Sequence, residues 1–144
     1  MTVPSRIAFV GLGAMGHAMA TTLLKHQYRV TGYDIRSEAV ARFASTGGDA
    51  AATACEAAAG ADLLVLMTVT IDQAESALLG SGALDALPQG ATVVLMATCP
   101  PARVAALSRR VVASGRRFVA APVSAGVAGA EAGTLTIMTA CDEA

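Results

Sequence analysis

The sequence predicts a doubly wound α/β domain with a mostly parallel sheet, and three observations predict it. Short apolar runs, of which Leu63-Leu64-Val65-Leu66-Met67 is the strongest, alternate with apolar stripes at helical spacing. Glycine, proline and capping residues punctuate nearly every boundary between them. The residues able to do chemistry gather just after the apolar runs, where such sheets bind ligands.

Ile7-Ala8-Phe9-Val10 reads as a buried first strand that ends at Gly11. Met15, Met19 and Leu23 then recur at every fourth residue, with Ala20 and Leu24 beside them, predicting a helix over Ala14 to His26. A second strand is expected over Arg29 to Tyr33. Ser37 is positioned to cap the next helix, which carries Val40, Phe43 and Ala44 and stops at Gly47-Gly48. A weak third strand follows at Asp49 to Ala52. Thr53 with Glu56 forms a capping-box pattern that opens a short alanine-rich helix, stopped by Gly60.

Leu63 to Met67 is the fourth strand, and Asp72 with Glu75 suggests a further cap, with a helix running through Leu79. Thr92 to Met96 is the fifth strand. Pro100 and Pro101 suit a helix start, with Val104, Leu107 and Val111 on one face and Gly115 as the stop. Phe118 to Ala121 is expected as the sixth strand and Leu135 to Ala140 as a seventh.

The chain has 144 residues, 54% of them hydrophobic but only 3% aromatic, with no Trp. That composition suits one domain whose core elements approach closely. A net charge of −1 gives no electrostatic case for nucleic acid or an anionic membrane. The cysteines Cys55, Cys99 and Cys141 are scattered, which fits thiols in a reducing compartment better than a disulfide framework. With His17 and His26 as the only histidines, no metal-ligand cluster is visible. Glycines interrupt the N-terminal apolar run, against a signal peptide, and no run is long enough to span a bilayer. The expected location is cytoplasmic.

Gly11-Leu12-Gly13-Ala14-Met15-Gly16 fits GxGxxG. Alone the pattern is weak in a chain rich in glycine and alanine, and a merely structural turn is the plain alternative. Here it leaves a strand and opens a helix, and Asp34 follows 18 residues after Gly16, the pattern of a Rossmann-type dinucleotide site. Gly11 permits the turn, Gly13 lets the backbone approach a pyrophosphate, and Gly16 lets helix and strand pack closely. Asp34 can accept from the adenosine ribose hydroxyls, which favours NAD; capping the next helix is its alternative role. Arg36 could instead pair with a 2′-phosphate, so NADP stays open. His17 reads as a helix-surface histidine, and Lys25 and His26 as helix-end residues.

The stretches "FVGLGAMGHAMA", "LLVLMT", "LLGSGAL" and "APVSAGVAGAEAGTLTIM" together resemble the N-terminal domain of the β-hydroxyacid dehydrogenases, over nearly the whole chain. "MATCPPARVAAL" is most similar to the branch acting on four-carbon sugar acids such as threonate. The resemblance implies hydride transfer between a nicotinamide and a small carboxylate-bearing hydroxy acid. It implies that Met67, Thr68, Val69, Gln73 and Thr98 line the cofactor, and that Ser124 with the amides of Ala125 and Gly126 contacts the substrate. It further implies a homo-oligomeric full-length enzyme and an all-helical second domain that carries the catalytic lysine. Residues 1–144 are then the dinucleotide-binding domain, with no catalytic residue of their own. Ala125 stands where the family usually has a glycine, Val69 where proline is common, Ala97 where serine is common, and Gln27 at a usual helix-ending glycine. A non-catalytic cofactor-binding module and an imine-acting reductase of the same fold are the alternative readings.

Overall fold

The computed structural model describes residues 5–141, so the expected 1–144 domain reaches beyond them at both ends. Strands β1 (Arg6–Val10), β2 (Arg29–Tyr33), β3 (Asp49–Ala50), β4 (Leu63–Leu66), β5 (Thr92–Leu95) and β6 (Arg117–Ala120) lie parallel, in the order β3-β2-β1-β4-β5-β6. The chain builds outward from β1 through β2 to β3, then returns to place β4 on the other side of β1. That reversal leaves a crevice above the carboxyl ends of β1 and β4.

Helices α1 (Ala14–Lys25) and α2 (Ser37–Ala44) cover one face of the sheet. Helices α3 (Ala54–Ala58), α4 (Ile71–Glu75), α5 (Ala83–Ala86) and α6 (Pro101–Ala113) cover the other. Alternate side chains divide accordingly: Ile7, Phe9 and Val65 join the α1–α2 core, while Ala8, Val10, Leu64 and Leu66 join the opposite one. Phe43 of α2 is fully buried, a contribution of about 1.5–3 kcal/mol.

Several expected details are corrected. Ser37 is the first residue of α2 and not its cap, and Arg36 in the N-cap position makes no side-chain capping bond. The cap of α4 is Thr70 with Gln73, not Asp72 with Glu75. Beyond α4 the helix widens into a π turn over Ser76–Gly80. At Thr53 only half of the expected box forms: Thr53 Oγ1 accepts from the Glu56 amide at 3.0 Å, while Glu56 Oε2 accepts from Ala52 N at 2.6 Å.

The largest correction lies in the late glycine-rich stretch. Gly126–Ala132 forms a helix, α7, between the expected sixth and seventh strands, where the sequence reading placed no helix. Its buried Gly129 and Ala130 face α1, and Thr22 Oγ1 of α1 donates to the Ala130 carbonyl at 2.8 Å. The predicted seventh strand is two short ones. β8 (Thr136–Ile137) pairs with β7 (Val123–Ser124) in a separate antiparallel ribbon, and β9 (Ala140–Cys141) adds antiparallel to the β6 edge.

Candidate functional site

The fingerprint glycines do different jobs. Gly11 has φ +97°, and a Cβ there would run into the Met67 carbonyl. A Cβ on Gly16 would run into the Gly11 carbonyl. These two glycines let β1, α1 and the end of β4 meet backbone to backbone. At Gly13 the nearest atom to an added Cβ is Arg36 Nη2, at 3.7 Å, an ordinary contact. The fold therefore does not need glycine at position 13, and apart from that guanidinium the space over it is open to a ligand.

Gly13 is also the N-cap of α1, without a capping side chain or an acidic residue in the first turn. The amides of Ala14, Met15 and Gly16 have no intrahelical acceptor, and the dipole places partial positive charge there. An anionic group such as a pyrophosphate fits this cradle. Leu12 holds the loop in place: its side chain is buried, its amide donates to Asp34 Oδ2 at 2.8 Å, and its carbonyl accepts from Arg42 Nη2 at 3.1 Å. Met15 packs partly against the α1–α2 core.

Asp34 sits at the carboxyl end of β2 with its side chain 8% exposed. Oδ1 accepts from the Arg36 amide at 2.9 Å and from Arg36 Nε at 3.1 Å, and Oδ2 accepts from Arg36 Nη2 at 3.3 Å as well as from Leu12. Burial pushes the carboxyl up, but the hydrogen bonds from Arg36 and Leu12 outweigh it and hold the pKa below the ordinary value. Asp34 is thus a firmly ionised acceptor beside the glycine loop and does not cap α2.

At the end of β4, Met67 is half-buried and Thr68 Oγ1 donates to the Thr70 carbonyl at 2.9 Å. Gln73 Oε1 accepts from the amides of Val69 and Thr70 at 3.0 and 3.4 Å, while Gln73 N donates to Thr70 Oγ1. Gln73 therefore shapes the Thr68–Thr70 turn. Val69 is 84% exposed, and so is Ile35 at 90%, a residue that the sequence patterns did not single out. Because β2 and β4 both flank β1, these two bare aliphatic side chains stand on either side of the glycine loop. An isoleucine just after the strand-ending Asp34, outside any helical stripe, was the available signal. Thr98, after β5, is exposed.

Ser124, Ala125 and Gly126 are all exposed at the turn from β7 into α7. Ala125 and Gly126 both have left-handed backbones, with φ of +83° and +61°. His17 is not a plain surface residue. It meets Phe43 edge-on, with ring centroids 6.4 Å apart, and its shielded Nδ1 has no partner among the described residues. Burial, then the Arg42 charge, lowers its pKa. Lys25 ends α1, at the pole opposite the glycines.

An apolar groove of about 500 Å³ runs between α6 and the β6–β9 edge, lined by Leu95, Val104, Phe118, Ala120 and Met138. Of the candidate site residues it touches only Thr98. Among the described residues no helix is long and apolar enough to cross a membrane.

Strand order, an uncapped glycine loop at the reversal and a carboxylate after β2 define a dinucleotide-binding domain. The family model for the NAD binding domain of 6-phosphogluconate dehydrogenase matches residues 6–144, and the chain belongs to this family of NAD-binding domains. It is 39% identical to the L-threonate dehydrogenase of Cupriavidus necator over 92% of its own length and 45% of that protein. The 3-hydroxyisobutyrate dehydrogenase of Mycobacterium tuberculosis, solved with L-serine, superposes with a TM-score of 0.92 at 30% identity, over 98% of this chain and 48% of that one. An imine reductase of Streptomyces aurantiacus is less similar, with a TM-score of 0.77 and 26% identity over 86% of this chain and 43% of that one. The chain thus spans about half the length of the relatives it matches. The resemblance drawn from the glycine fingerprint and the late loop is borne out at the level of the family.

Proposed function

We propose that the chain is the dinucleotide-binding half of a dehydrogenase acting on a small hydroxy acid of the threonate or 3-hydroxyisobutyrate kind. The observation that carries this reading is the open cradle at Gly13, next to an ionised Asp34, in a chain similar to hydroxyacid dehydrogenases. When bound, the nicotinamide accepts or gives the hydride. The first-turn amides of α1 would hold the pyrophosphate, Asp34 the adenosine ribose, and Ile35 and Val69 would offer apolar surface at the adenosine end. Asp34 favours NAD over a cofactor with a 2′-phosphate, because the two negative charges repel. Ser124, with the amides of Ala125 and Gly126, would receive the substrate's carboxylate and hydroxyl. The small residues Ala125 and Gly126 would let that ligand approach the exposed amides. The group that takes the hydroxyl proton would come from a second domain, and Lys25 is turned away from this task by its place at the far end of α1.

The imine-reductase reading ranks second, since that likeness has the lower identity, TM-score and coverage. The test is Ser124→Ala in the full-length enzyme, assayed with L-threonate and 3-hydroxyisobutyrate. Turnover is expected to fall by on the order of tenfold, for the loss of one hydrogen bond to a charged group, while NADH affinity stays within a factor of two. Unchanged turnover with the best substrate would reduce the turn to a structural element.

A further inference from the structure

We propose that Thr22 is a positioning residue for substrate binding: from α1 it fixes α7, and α7 fixes the turn that meets the substrate. This rests on the reading of Ser124, Ala125 and Gly126 as that turn.

A threonine inside a helix usually turns its hydroxyl to solvent or back to the carbonyl four residues earlier. Thr22 Oγ1 instead donates across to the Ala130 carbonyl of α7 at 2.8 Å, in a part-buried contact. That carbonyl belongs to the last turn of α7, where carbonyls lack an intrahelical partner, and the Gly133 amide reaches it only at 3.3 Å. Thr22 Cγ2 also stands 3.6 Å from the point where a Cβ on Gly133 would lie. Hydroxyl and methyl thus hold the carboxyl end of α7 together.

The hold reaches the turn because α7 is short and closed at both ends. The helix starts at Gly126, directly after Ser124 and Ala125. Leu135, just past Gly133, packs on the α1–α2 core, and β8 returns to pair Thr136 with Ser124. Turn, helix and ribbon therefore form one piece, and what fixes α7 fixes Ser124. Helix α1 is itself fixed at its start, where Gly16 lies against the Gly11 carbonyl. Thr22 thereby refers the substrate turn to the cofactor loop. It lies about 12 Å along α1 from Ala14 by helical rise, too far to touch the cofactor.

A loosened turn is competent for only a fraction of the time, which weakens apparent substrate affinity by that fraction. Bound substrate then holds the turn itself, so kcat at saturation is largely kept. Steady-state kinetics of the full-length Thr22→Val and Thr22→Ser enzymes with L-threonate and 3-hydroxyisobutyrate, beside NADH affinity, test this. Valine keeps the methyl and loses the hydrogen bond; serine does the reverse. Thr22→Val is expected to raise KM by about three- to tenfold, the worth of one neutral hydrogen bond, with kcat and NADH affinity within about a factor of two. Thr22→Ser is expected to keep KM within about a factor of two of the unmutated enzyme. Unchanged KM in Thr22→Val, or a Thr22→Ser KM as high as the valine variant's, overturns the positioning role. So does an equal loss of NADH affinity or of the fold itself, since both mark Thr22 as a support of the whole domain. Ser124→Ala separates the two readings. If it impairs turnover while Thr22→Val leaves KM unchanged, only the positioning role falls; if it leaves turnover unchanged, the substrate turn falls and the positioning role with it.

Discussion

Gln27 and Ala125 are the two described residues other than glycine with a positive φ, +67° and +83°. Both stand where the resemblance led one to expect glycine, and the backbone at both takes the left-handed conformation that glycine favours. A Cβ in the left-handed region costs about 1–2 kcal/mol. Glycine's extra freedom in the unfolded chain returns about 0.4–1 kcal/mol of that. Ala125→Gly is therefore expected to stabilise the fold by about 0.5 kcal/mol net, measured by denaturant unfolding. A clear loss of stability would mean that the Ala125 methyl, which packs on Gly129, holds the turn more strongly than its backbone strains it. The same scale separates the fingerprint glycines. Gly11 and Gly16 are needed by neighbouring backbone, whereas among the described residues a Cβ at Gly13 would meet only Arg36, in an ordinary contact.

At the scale of elements, the turn after β4 depends on the start of α4. Thr70 and Gln73 satisfy each other's amides, and Gln73 also holds the Val69 amide. Thr70→Ala should cost about 1 kcal/mol and Thr70→Ser much less, again by denaturant unfolding. Equal stability of the two variants would show that the Gln73 side chain holds the turn alone. Here the sequence misled: Asp72 and Glu75 have the right chemistry for a helix start, but they lie inside α4 and pair instead with Arg103 of α6, at 2.7 and 2.9 Å. Strands β1 and β4 were readable because each carries a run of buried apolar residues, and α1 because its stripe holds for three turns. Helix α7 was not readable. Gly126, Gly129 and Gly133 look like a flexible loop, yet Gly129 is small because α7 packs tightly under Leu135 and Ala125, and Gly133 ends the helix with a left-handed backbone. The antiparallel β9 was hidden for another reason. Two residues give no periodicity, and only the position of the β6 edge brings them into the sheet. Among site residues, Asp34 was identified from its spacing, but its engagement by Arg36 depends on side-chain geometry that no spacing carries.

At the scale of the whole molecule, parallel pairing brings the carboxyl ends of β1, β2 and β4 to one edge, so that the glycine loop, Asp34 and the Thr68–Val69 turn share one rim. The central claim is that the opening over Gly13 exists for a dinucleotide and not for the fold. NADH affinity of the unmutated chain and of Gly13→Ala, each paired with its unfolding free energy, tests that claim most directly. The account predicts that the unmutated chain binds NADH, and that Gly13→Ala keeps its stability within about 0.5 kcal/mol, as expected of a change with no internal clash. It also predicts that the variant loses NADH affinity by on the order of tenfold or more, because the added methyl stands where the pyrophosphate would meet the backbone. A stable Gly13→Ala chain that binds NADH as tightly as the unmutated one would contradict it.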